Sequence, residues 1–175
     1  AYKPQVAGVN FGYAVAKDIN LTGGYYYFKN NEGLFENAYG TNVDTAKVWE
    51  LGFDTKLSPE FVFKAAYGKS DANTDNKAYF AQIDYKGTDI SKVGSFGAWV
   101  NYRKLEANAA PKTTFDNDYA NAERANGGKG YEVGFGYVPM ANTLFKAKYV
   151  EVKSTTSGKA ESKTKYFQTQ MEFFF

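Results

Sequence analysis

Between Lys47 and Leu57 the chain reads KVWELGFDTKL. Trp49, Leu51, Phe53 and Leu57 take alternate places, and Glu50, Gly52, Asp54 and Lys56 fill those between. A period of two sends successive side chains to opposite faces of a β-strand, a pattern no amphipathic helix can present. After the tight-turn sequence Leu57-Ser58-Pro59-Glu60, FVFKAAYGK repeats it, with Phe61, Phe63, Ala65 and Tyr67 set against Lys64, Ala66 and Gly68. The same alternation runs through Val9–Val15, Leu21–Tyr27, Tyr79–Lys86, Phe96–Arg103, Tyr131–Tyr137 and Phe145–Val150. Gly12-Tyr13, Gly52-Phe53 and Gly136-Tyr137 each precede a turn, so the repeating unit is a β-hairpin. The whole reads as about nine strands, each near the ~9–11 residues of a tilted membrane-spanning strand.

Composition narrows the chemistry. The chain has 175 residues, enough for one domain or part of a larger one, and 18% of them are aromatic. It contains no cysteine, which excludes disulfides and thiolate metal sites, and no histidine, which excludes Ser-His and Cys-His catalysis and His-ligated zinc. No pair of carboxylates is singled out for acid–base work, so the chain is read as a non-enzyme without cofactor or metal. The loop acids Asp116, Asp118 and Glu123 lack the ordered ligand spacing of a calcium loop and are read as solvated charge. A net charge of +2 gives no reason to expect a nucleic-acid partner. No apolar run reaches the ~18 residues of a membrane-spanning helix, which says nothing about spanning strands. Residue 1 is Ala, and a processed or cut chain is expected.

The connections alternate in length. Short ones fall near Lys17-Asp18, Ser58-Pro59, Gly87–Val93 and Pro139–Thr143; longer polar ones are Lys29–Ala46, Asp71–Asn76, Asn108–Lys129 and Thr155–Lys163. Asn108–Lys129 is expected to hold a short helix, because DNDYANAERANGG runs into a glycine stop. Short turns at one end and long loops at the other characterise outer-membrane barrels. The apolar face is aromatic at both strand ends. Trp49, Tyr67, Tyr79, Tyr102, Tyr131 and Tyr149 fall toward the long loops, and Tyr13, Phe53, Phe61, Tyr85, Phe96, Tyr137 and Phe145 toward the short turns. Two such rows are expected to be girdles at two membrane interfaces.

The opposite face carries charge and small residues. Glu50, Asp54, Lys64, Asp84, Lys86, Arg103, Glu132, Lys146, Lys148, Gln168, Gln170 and Glu172 are the candidate lining of a water-filled pore, interspersed with Gly12, Gly24, Ala66, Gly134 and Gly136. With Lys56 added, the row holds six basic and five acidic members, so it selects neither ion sign. A soluble sheet with a solvated outer face shows the same alternation.

The chain closes on YFQTQMEFFF, with Phe167, Met171, Phe173 and Phe175 at alternate places and Phe175 last. This ending resembles the C-terminal signal of bacterial outer-membrane barrels. The resemblance implies that the outer-membrane assembly machinery reads the strand. GYEVGFGYVPMANTLFKAKYVEVK followed by YFQTQMEFFF also resembles the end of the S-layer-homology-linked (OmpM-type) porins of diderm Firmicutes. That resemblance implies a homotrimeric general-diffusion porin in outer-membrane lipid, with long loops extracellular and short turns and C-terminus periplasmic. Neither a cell-wall tether nor constriction residues carry over. Bacterial barrels mostly have an even strand number. About nine strands therefore imply the C-terminal part of a larger all-β, antiparallel up-and-down transmembrane barrel, of roughly 16 strands. The missing N-terminal strands lie in the same gene product or in a second chain. An eight-stranded barrel closing alone is the alternative. The expected function is passive diffusion of small hydrophilic solutes. The competing readings are a non-conducting barrel acting as anchor or surface-binding module through its loops, and a soluble sandwich or lipocalin-like binder.

Overall fold

A computed structural model describes residues 5–29, 45–110, 127–155 and 162–175. They form nine strands: β1 (Gln5–Ala16), β2 (Ile19–Lys29), β3 (Thr45–Lys56), β4 (Phe61–Ser70), β5 (Lys77–Lys86), β6 (Phe96–Glu106), β7 (Gly127–Met140), β8 (Thr143–Ser154) and β9 (Lys163–Phe173). Each pairs antiparallel with its sequence neighbours in one sheet ordered β1 to β9, as hairpin periodicity requires. Among the described residues there is no helix, and no ladder joins β1 to β9. The helix expected within Asn108–Lys129 falls mostly on 111–126, outside the described residues, as do Asp116, Asp118 and Glu123.

The short turns share one end of the sheet. In the β3–β4 turn the Phe61 N–H donates to Ser58 Oγ at 3.2 Å, a side-chain bond that fixes the corner. The β7–β8 turn places Asn142 at a φ of 57°, which asparagine tolerates because its amide bonds locally. The Phe174 N–H reaches the Asn142 carbonyl at 2.9 Å, so the C-terminus lies at this end too. At the opposite end, the turn after β6 packs on the turn after β4. There Asn108 N–H donates to the Asp75 carbonyl at 2.8 Å, its Nδ2 donates to the Thr74 carbonyl at 2.9 Å, and Ser70 Oγ donates to the Asn108 carbonyl.

In the middle of the sheet burial is inverted relative to a soluble sheet, whereas β1 is exposed on both faces. Along β7 the alternation is strict: Tyr131, Val133, Phe135 and Tyr137 are exposed, whereas Gly130, Glu132, Gly134 and Gly136 are buried. The covered face is concave. Side chains from β5 to β9 line one recess on it, of about 350 Å³. Its apolar clusters lie at the loop end, while Val138 and Leu144 are buried singly at the turn end. Leu105, Ala109, Val150 and Val152 form one cluster, and Phe28, Ala46 and Val48 another. Glycines in β7 make the tight curl possible. At Gly130 a Cβ would sit 1.9 Å from the Glu151 carbonyl oxygen of the next strand.

Candidate functional site

The concave face is organised around Glu132 of β7, which is 5% exposed. Its carboxylate accepts from Trp99 Nε1 at 2.7 Å and from Asn101 Nδ2 at 3.3 Å, and it pairs with Arg103 and Lys148, each at 3.4 Å. Register explains the convergence. Asn101 stands directly opposite Glu132, and Trp99 and Arg103 stand opposite Gly134 and Gly130, one step to either side. Lys148 faces Gly134 from β8. The Trp99 indole lies where a Gly134 side chain would be, with ring carbon Cζ2 only 2.0 Å from an ideal Cβ. Glycine at 134 therefore allows the indole to lie flat and aim its N–H at the carboxylate. A carboxylate this enclosed needs such compensation, because burying an uncompensated charge costs several kcal/mol, on the order of the buried-ion penalty in proteins.

The remaining polar residues extend outward from this centre. Lys64 pairs with Asp84 at 2.8 Å, and Gln82 Nε2 donates to Asp84 at 2.6 Å. Lys146 pairs with Glu172 at 2.6 Å, and Gln170 donates to the same carboxylate. Gln168 and Gln170 line the recess beside them. On β2, the single Tyr26 O–H lies between two acceptors, Asn10 Oδ1 at 2.6 Å and Glu50 Oε1 at 2.9 Å, and Asn20 donates to Asp54 at 2.9 Å. Lys86 borders a recess with Lys64, Asp84 and Lys146, but its amine turns aside. It ends β5 with a φ of 54°, and its ammonium lies 5.2 Å and 5.0 Å from the ring centres of Tyr85 and Phe96 and 3.3 Å from Glu60. The left-handed backbone breaks the alternation and brings the amine to the rings of the convex face.

The convex face carries two aromatic rows. Toward the loops, Tyr25 stands opposite Trp49, whose ring lies 5.5 Å from Tyr67. Tyr67 stands opposite Tyr79, Tyr102 opposite Tyr131, and Tyr149 opposite Phe167. Toward the turns, Tyr13 and Phe53 flank Leu21, and Phe61 lies 5.0 Å from Tyr85. Tyr85 lies 6.2 Å from Phe96, Phe96 stands opposite Tyr137, and Tyr137 opposite Phe145. Leu51, Ile83, Val100 and Val133 occupy the band between, all exposed. Phe167, Met171 and Phe173 continue the convex face on β9, whereas Phe175 lies past the strand's end and is fully exposed.

Among the described residues no group of acidic, histidine or cysteine side chains could hold a metal ion. No protein-family model matches the chain, and no curated protein is significantly similar to it. The clustering of Trp99, Asn101, Arg103 and Lys148 on one carboxylate was not read from the sequence. It depends on the register of three strands, and its sequence trace is only a large aromatic residue on the face where β7 has glycines.

Proposed function

We propose that this chain is a transmembrane β-barrel porin, or the C-terminal portion of one, that lets small hydrophilic solutes diffuse passively through a water-filled lumen. The observation that carries the reading is the inversion on β7, where every exposed residue between the two aromatic rows is apolar and Glu132 is covered. An apolar convex surface continuous over nine strands far exceeds the few hundred Å² that soluble monomers expose. Lipid covers such a surface, and the aromatic rows fall where the two interfaces would be. The concave face then faces water, and Glu50, Asp54, Lys64, Asp84, Arg103, Lys146 and Glu172 give it a two-signed field. Exclusion is by size and by that local field.

Open sheet edges do not persist in hydrocarbon. The outer edges of β1 and β9 therefore take partners: further strands of the same gene product, a second chain, or each other. In this reading the protein resides in the bacterial outer membrane as a homotrimer, loops outside and turns inside. The assembly machinery reads Phe167, Met171, Phe173 and Phe175. Purified protein added to a planar bilayer should give stepwise single-channel currents. A second reading, a non-conducting anchor, is favoured by the apolar clusters that fill the loop end of the concave face. Well-folded protein and a silent bilayer would decide for it, and folding without detergent or lipid would defeat both.

A further inference from the structure

On the convex face, immediately beyond the loop-end aromatic row, the ladder brings lysines directly opposite lysines. Lys69 stands opposite Lys77, Lys104 opposite Lys129, and Lys153 opposite both Lys129 and Lys163. Lys29 and Lys47 carry the row across β2 and β3, and Lys165 adds to it on β9. Like charges directly opposite destabilise a sheet, so stability alone does not account for repeating the arrangement around the rim. Among the described residues, three carboxylates share the row with these nine lysines. Glu106 pairs with Lys104, Glu151 pairs with Lys163 and Lys165, and Asp71 accepts the Lys47 N–H. Counted over the described residues, the row carries nine lysines against three carboxylates. At the turn end the described convex positions are mostly apolar, with Val15, Ile19, Leu57, Phe61, Phe96 and Met140 all exposed, and the Lys86 amine that reaches this face pairs with Glu60.

We propose that the belt is a docking surface for phosphate-bearing lipid headgroups of the leaflet on the loop side, held against the tyrosine row below. The inference rests on the membrane reading above. Charge complementarity selects the occupant. Cross-strand neighbours lie ~5 Å apart at Cα, so two ammonium groups can close on one phosphate, and their flexible stems run over the rings beneath. The belt's confinement to one end also matches a lipid confined to one leaflet.

Trp49 is a built-in probe. It lies on the convex face opposite Lys69, whereas Trp99 faces the concave side. The protein is placed in mixed phosphatidylcholine–phosphatidylglycerol vesicles in which one lipid or the other carries brominated chains, at fixed composition. The expected result is that brominated phosphatidylglycerol quenches Trp49 in excess of its share, with an enrichment of about fivefold per engaged lysine. In K47Q/K69Q the enrichment disappears, while in the turn-end variant K92Q it stays. Equal quenching by the two lipids in the unmodified protein overturns the proposal. So does an equal loss in K92Q, because net charge would then suffice. Absence of quenching by either lipid marks instead the failure of the membrane reading.

Discussion

Replacing Glu132 by Gln removes one charge and almost no volume, and the Gln carbonyl can still accept from Trp99 and Asn101. The change therefore isolates the attraction to Arg103 and Lys148, each 3.4 Å away. At such a distance a unit pair is worth about 4 kcal/mol gross at an effective dielectric of ~20. Desolvation offsets much of that, and removing one member of a buried pair typically costs ~3–5 kcal/mol. The carboxylate side chain is 7% exposed, but Arg103 and Lys148 retain 25% and 20%. Residual solvent screens the two cations once the carboxylate is gone, which moves the expected loss down to about 2–3 kcal/mol. Lys146–Glu172 is the control, with 38% and 30% of its side chains exposed, and Glu172→Gln should cost less than ~1 kcal/mol. Urea titration in vesicles, followed by tryptophan emission, gives both values from midpoint and slope. A Glu132→Gln loss below ~0.5 kcal/mol, or one equal to that of Glu172→Gln, would refute the idea that this face encloses its charges.

Gly130→Ala should fail to fold or lose more than ~3 kcal/mol, because the obstruction is a backbone carbonyl at 1.9 Å that cannot rotate away. Gly68→Ala, whose nearest neighbour would be at 3.5 Å, should fold normally; comparable yields of the two refolded proteins would contradict this. In the β5–β6 turn, hydrogen bonds from Ser91 and the neighbouring Lys92 lower the Asp89 carboxyl from 3.8 to about 2. Its folded value lies below its unfolded one, so its stabilising contribution is complete above the ordinary value, fades as pH falls toward about 2 and is gone below that. A carboxyl-carbon NMR titration should put its midpoint near the lower figure, and a midpoint at 3.8 would contradict the turn geometry.

The strands, their order and their two faces were legible because alternation is a local signal repeated in every hairpin. Strand ends were legible where punctuation is chemical, as at Ser58-Pro59 and Pro139–Thr143. The approach of the Lys86 amine to Tyr85 and Phe96 follows from a left-handed backbone that leaves no mark in a parity count. The centre at Glu132 stayed hidden because its partners come from β6 and β8, and only register brings them together. The lysine row had a visible trace, one lysine at the loop end of strand after strand. That lysine faces lysine is a matter of register, which only the ladder fixes.

The central claim is that the exposed apolar face meets lipid. Val133 tests it most directly. It is 48% exposed, lies between the two aromatic rows and stands opposite Val100 and Tyr149. The measurement is the unfolding free energy of Val133→Arg in lipid vesicles against the unmodified protein. If Val133 faces hydrocarbon near mid-depth, arginine costs about 2–4 kcal/mol. A change within about 0.5 kcal/mol, as at an ordinary solvated surface, would contradict the account.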